Sequence, residues 1–198
     1  MDNDPWFHPP GASDPLAEET LETQLAWEGE FLRVYKDRVR APDGHVAPRE
    51  YLKHPGAVMV VPLLDNGEVV LERQYRYPLR RSFIEFPAGK IDPGEDILAC
   101  AQRELLEETG YFAAEWVYLG GFHNAIGYCD ERIEVFLARG LRLEGAVTDD
   151  GEVLEVFSAP LIELKRRVAS GEVTDVKTIV GTYWTEEFLA GDRARPPR

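Results

Sequence analysis

The chain has 198 residues, 44% hydrophobic and 29% charged, enough for the core of one full domain plus a smaller extension. A formal net charge of -14 excludes the basic face that gripping nucleic-acid phosphates requires, and no stretch has the apolar length that spans a membrane. The acidic, Pro-rich start MDNDPWFHPPG lacks the basic opening and apolar run of a secretory signal, and Cys100 and Cys129, the only cysteines, exclude a disulfide framework or a cysteine zinc site. A cytoplasmic protein is therefore expected.

In chain order, residues 1–16 read as a loose tail of Asp, Pro and Gly. Strand character begins at Trp27 and continues through EFLRVYKDRVR; PDG at 42–44 is a turn signal and HVAPREYLKH the return strand. GAVMVVPLL, 56–64, is a continuous apolar run of buried-strand length. Asn66-Gly67 is a strong hairpin signal leading into the strand EVVLERQYR. SFIEFPAGK is a further short strand interrupted by Pro87 and Gly89. A helix is predicted from near Glu95 to a stop at Gly110. EWVYLGGFHNAIGY, ERIEVFLARG and EVLEVFSAP read as strands. PLIELKRRVASG and DVKTIVGTYWTEEFLA read as helices, the second N-capped by Asp175. Many strands with few, irregularly placed helices predict an α+β sandwich rather than a doubly wound parallel sheet.

The segment Gly89–Tyr111, GKIDPGEDILACAQRELLEETGY, raises a chemical question. Helical rotation of about 100° per residue stacks Glu104 and Glu108 on one face with Glu107 beside them, next to an apolar stripe of Leu98, Ala101 and Leu105. Like charges at this spacing repel, more so when partly buried, and Arg103 offsets only part of that. A hard divalent cation such as Mg²⁺ would offset all of it and could bridge the carboxylates to phosphates. Diphosphate substrates are themselves anionic, so an acidic protein acting on them needs such cations from solution. The alternative is a plain solvated acidic helix face. Against it stands the tight loop directly upstream, with Pro87, Gly89, Pro93 and Gly94, where glycine lets backbone approach a ligand closely.

This segment resembles the Nudix box. Gly89, Glu95, Arg103, Glu104, Leu105, Glu107, Glu108 and Gly110 fit its fixed positions, and Tyr111 replaces the usual final aliphatic. Outside the box, REYLKHPGAV, ERQYRYPL, IEFPAGKIDPGE, CDERIEVFLARG and GEVTDVKT follow in the order seen in ADP-ribose and nucleotide-sugar pyrophosphatases. One departure is Ile126, where many ADP-ribose hydrolases carry Pro before the loop glycine. It leaves GDP-mannose or another nucleotide sugar as the alternative substrate. Box carboxylates typically lost in non-catalytic Nudix-fold sensors are all retained.

The resemblance implies an α/β/α Nudix sandwich over residues 56–190, an N-terminal tail and antiparallel strand arm over 1–55, the arm exchanging in a homodimer, and a short tail at 191–198. It implies Mg²⁺-dependent hydrolysis of a nucleoside diphosphate sugar, with Mn²⁺ as a substitute ion. Glu104 and Glu108 are the implied side-chain metal ligands and Ala88 a backbone-carbonyl ligand; Glu107 binds metal or orients water. Arg76 suits a diphosphate oxygen, or is an ordinary surface arginine. Arg49 and Glu50 match nucleoside-holding positions, or form a surface ion pair. Gly127 and Glu131 match a loop bordering the terminal ribose, or Glu131 is a strand-edge charge. The general base is expected on the loop VTDDGE among Asp149, Asp150 and Glu152. Glu152 is favoured because it immediately precedes the next strand.

Overall fold

The computed structural model describes residues 14–145 and 153–193. They divide into two compact units, Met1–His54 with Ala125–Asp130, and Pro55–Asn124 with Glu131–Arg198.

In the first unit, β1 (Glu19–Glu28), β2 (Arg33–Arg40) and β3 (Val46–Lys53) form an antiparallel sheet in that order. The β2 residues alternate, with Asp37 and Val39 buried and Lys36, Arg38 and Arg40 exposed. The segment Ala125–Asp130 is pinned to the end of β3: Leu52 N–H donates to the Tyr128 carbonyl at 2.8 Å, and His54 N–H to the Asp130 carboxylate at 2.8 Å. The expectation that strand structure begins at Trp27 is corrected. β1 starts at Glu19, and the chain reverses after Glu28, with Gly29 N–H donating to the Leu32 carbonyl at 2.9 Å. ETLETQLAWE is exposed on nearly every residue, so it lacks the apolar alternation that marks a half-buried strand.

In the second unit, β4 (Ala57–Pro62), β5 (Glu68–Arg76), β6 (Arg81–Glu85) and β7 (Ala88–Lys90) precede the helix α1 (Ile97–Thr109). Then come β8 (Tyr111–His123), β9 (Arg132–Leu143), β10 (Leu154–Pro160), α2 (Leu161–Ala169) and α3 (Val176–Ala190). They build an antiparallel sheet ordered β10-β5-β6 and a mixed sheet ordered β7-β4-β9-β8, in which β4 and β9 run parallel. The apolar run at β4 is explained by burial on both faces. Ala57, Met59 and Val61 join the core with Val69, Leu71 and Phe86, while Val58 and Val60 pack with Cys100, Ala101 and Leu105 of α1. Gly181 lets α3 come close, since a Cβ there would stand 2.6 Å from the Met59 methyl and 3.2 Å from the Phe86 ring.

The Asn66-Gly67 turn forms, with Gly67 N–H donating to the Leu64 carbonyl at 3.0 Å, but it does not close a hairpin of paired strands. Apart from the single Leu63–Val69 bridge, β4 and β5 part into different sheets. Both are needed for the two-sheet core, and that demand outweighs the local turn preference. The α+β sandwich with a mixed sheet and separate antiparallel strands is the architecture expected from the sequence. Among the described residues no helix is long and apolar enough to cross a membrane.

Candidate active site

The site is built where β7 delivers the backbone of Ala88 and Gly89 onto α1. The helix begins at Ile97, two residues after the expected start near Glu95. Asp96 is the N-cap, its carboxylate accepting from Leu98 N–H at 2.9 Å and Ala99 N–H at 3.2 Å. Gly110, in the left-handed region at φ 73°, ends it. Glu95 is thereby left in the preceding turn, where it accepts the Asp92 N–H at 3.0 Å.

Cys100, Ala101 and Leu105 dock α1 on the mixed sheet, which carries the neighbouring carboxylates inward. Glu104 and Glu108 are 9% and 5% exposed. Ala88 N–H donates to Glu108 at 2.9 Å. Gly89 lies so close to Glu104 that a Cβ on it would occupy the carboxyl group itself. Glu107, half-buried, is held by Arg103 at 3.0 Å.

Arg103 is the hub. Its guanidinium donates in a fork to Glu95 at 2.9 and 3.0 Å and to Glu104 at 2.8 Å. It thus touches three of the four box carboxylates: Glu95, Glu104 and Glu107. Hydrogen bonds from Arg103 hold the Glu95 carboxyl at a pKa of about 2, and the same bonds raise that of Arg103 itself. The Cys100 thiol, buried beside this cluster, is pushed up to about 12, so it is an inert packing group rather than a nucleophile.

Among the described residues no three His, Cys, Asp or Glu side chains are arranged so that side chains alone could hold a metal ion. A metal here would rest on Glu104, Glu108 and backbone oxygen. Those residues fit a hard divalent cation. The donors are all oxygen, two carboxylates are buried one turn apart, and the space beside Glu104 is kept only because residue 89 has no side chain.

Arg76 ends β5 and is not an idle surface arginine. Its Nε and Nη2 donate to the two oxygens of Glu85 at 2.8 and 2.7 Å, and Glu85 is 2% exposed. Burial opposes ionisation of Glu85, but Arg76 and Lys177 together hold its carboxyl below the ordinary carboxylate range. Glu131 accepts from the Asn124 amide at 2.6 Å. Arg49, Glu50 and Gly127 belong to the other unit. There Arg49 forks onto Glu18, Glu50 pairs with Lys36 at 3.3 Å, and a side chain on Gly127 would meet open space. As successive strand residues, Arg49 and Glu50 point to opposite faces of β3. Glu152, with Asp149 and Asp150, lies outside the described residues. The sequence reading missed Glu85 and Lys177. Both stand inside the quoted segments IEFPAGKIDPGE and GEVTDVKT, but 92 residues separate them and no local pattern joins them.

Two buried carboxylates packed against the backbone of a loop-helix element, on a mixed-sheet sandwich, define the class. The NUDIX domain matches residues 53–176, and the chain belongs to that family: it is a Nudix hydrolase. Among its relatives, the ADP-ribose pyrophosphatase of Bacillus subtilis is 38% identical over 165 residues, 82% of this chain and 89% of that protein. The ADP-ribose pyrophosphatase of Mycobacterium tuberculosis is 36% identical over 176 residues, 87% and 85% of the two chains. The crystal structure of an ADP compounds hydrolase has the same fold, with a TM-score of 0.82 over 91% of this chain and 98% of that one at 23% identity.

Proposed function

We propose that this enzyme hydrolyses the diphosphate bond of ADP-ribose or a closely related nucleoside diphosphate sugar, dependent on Mg²⁺ or, as a substitute, Mn²⁺. The products are a nucleoside monophosphate and a sugar phosphate; from ADP-ribose they are AMP and ribose 5-phosphate. The observation that carries this reading is the pair Glu104 and Glu108, buried one turn apart against the backbone of Ala88 and Gly89. The relatives' names support the choice of substrate.

Glu104, Glu108 and the Ala88 carbonyl would hold the ion, which when bound neutralises the diphosphate and makes a bound water more acidic. Arg76 has committed two of its five N–H donors to Glu85, leaving three for a diphosphate oxygen. Glu107, fixed by Arg103, orients water at the edge of the site. Glu152 takes the proton of the attacking water as its oxygen bonds to phosphorus and the P–O bond to the leaving phosphate breaks. Arg49 and Glu50 hold the nucleoside, and Gly127 and Glu131 border the terminal ribose.

The test is phosphate release, coupled to alkaline phosphatase, over a panel of ADP-ribose, GDP-mannose and other nucleotide sugars. ADP-ribose should give the highest kcat/KM; preference for GDP-mannose would replace the substrate assignment. In the same assay Glu104→Gln and Glu108→Gln should each cost at least about 100-fold in turnover with the fold intact, because an amide is a poor ligand for a hard cation. Near wild-type rates at saturating Mg²⁺ would end the metal-site reading. Glu152→Gln should cost about 100- to 10,000-fold, and Asp149→Asn and Asp150→Asn far less.

A further inference from the structure

Lys177 occupies an unfavourable place. It lies in the first turn of α3, where the helix dipole disfavours a cation, and its side chain is 13% exposed. Both costs are offset by contacts that lead in one direction. The Lys177 ammonium binds the Glu85 oxygen that also receives Arg76 Nη2. Its second partner is Asp175 at 3.1 Å.

Asp175 is in turn immobilised. As the N-cap of α3 it accepts Thr178 N–H at 2.9 Å and the Thr178 hydroxyl at 2.7 Å. The fully buried Thr178 oxygen accepts Phe86 N–H at 3.1 Å. Asp175, Lys177 and Thr178 therefore clamp the end of β6 from the side of α3, and only Pro87 separates Phe86 from Ala88.

Glu85 needs this clamp. It sits directly across from Glu72 in the β5–β6 register, and both are buried. Burial disfavours an ionised Glu85, so the carboxylate needs cations fixed beside it. A carboxylate fixed on two sides can hold a guanidinium at one angle, whereas a carboxylate tied only to the flexible arginine cannot.

From this geometry we infer that Lys177, backed by Asp175, is a positioning residue for Arg76. It acts through Glu85 to aim the remaining guanidinium N–H groups at the diphosphate. The inference rests on the reading of Arg76 as the diphosphate-binding arginine given above. A purely structural Lys177 would affect melting temperature and leave substrate affinity alone.

The experiment is a double-mutant cycle on the full chain with ADP-ribose as substrate and saturating Mg²⁺, using Arg76→Lys, Lys177→Met and the double variant, each checked for fold by thermal melting. Arg76→Lys keeps the charge beside Glu85 but loses the fork. Lys177→Met should raise KM about 10-fold with kcat changed less than about 3-fold, the pattern of lost uniform binding, and the Mg²⁺ half-saturation should not move. Lys177→Arg should recover most of the loss. In the Arg76→Lys background Lys177→Met should add less than about 2-fold, because the group it aims is gone. Full additivity overturns the positioning role while leaving Arg76 as a ligand. An Arg76→Lys variant with wild-type KM overturns the arginine reading itself, and the positioning role with it. A Lys177→Met protein that melts lower but keeps wild-type KM shows that the residue is structural.

Discussion

Gly89 shows how one absent methyl group can shape a catalytic surface. Its backbone φ is not in the left-handed region, so it is required for space rather than conformation. In Gly89→Ala the new Cβ must displace the Glu104 carboxylate. That carboxylate is the far end of a flexible side chain, so the fold tolerates the shift while the proposed metal pocket does not. Turnover should fall by about 10-fold or more with the melting temperature nearly unchanged; unchanged turnover would show that Glu104 need not sit where it does. Glu95 carries a pH signature. Its pKa is lowered from 4.5 to about 2 by the Arg103 fork. A depressed carboxyl contributes stability above its unfolded pKa and loses it as pH falls through the folded value. Compared with Glu95→Gln, the wild type should be more stable at neutral pH, and the difference should shrink between pH 4.5 and about 2. A gap that persists below pH 2, followed by thermal melts, would contradict the ion pair as its source.

The informative element is α1 with its preceding loop. Apolar spacing docks Cys100, Ala101 and Leu105, and the 3.6-residue period then necessarily turns Glu104 and Glu108 toward the same boundary. The start of the helix controls this register. Asp96 satisfies two otherwise unpaired N–H groups, and Asp96→Ala should cost about 1 kcal/mol of stability. Because Glu104 and Glu108 lie in the second and third turns, activity should survive once the protein is folded at low temperature. Denaturant midpoints and rates measured together decide this; lost activity with an unchanged midpoint would mean that the cap shapes the site directly. These features were legible in the sequence because helix periodicity, capping and glycine stops act within a few residues. The exact start was misread by two residues because Glu95 and Asp96 both suit a helix entrance; Asp96 takes the N-cap, and Glu95 stays in the preceding turn, held by Asp92 N–H and Arg103.

At the level of the whole molecule, the first unit leaves several large apolar side chains exposed. Leu25 is 43%, Trp27 55% and Phe31 48% exposed. Such a patch favours association, and a homodimer formed through this arm is the expected outcome. Light scattering should report the mass of two chains, and Trp27→Glu should shift it toward one; a wild-type monomer at micromolar concentration would refute the prediction. By itself the sequence determined the box loop, the acidic helix face, the doubly buried β4 and the family, since all of these follow from contacts or spacings close along the chain. Only the tertiary structure decided that β4 and β5 separate after a strong turn signal, and that Ala125–Asp130 is held against the end of β3 in the first unit. It also decided that Lys177 meets Glu85 across 92 residues. The physical reason is the same in each case. These arrangements depend on which distant surfaces come together in the fold, and neither the pairing of remote segments nor that of buried charges is encoded in the order of neighbouring residues.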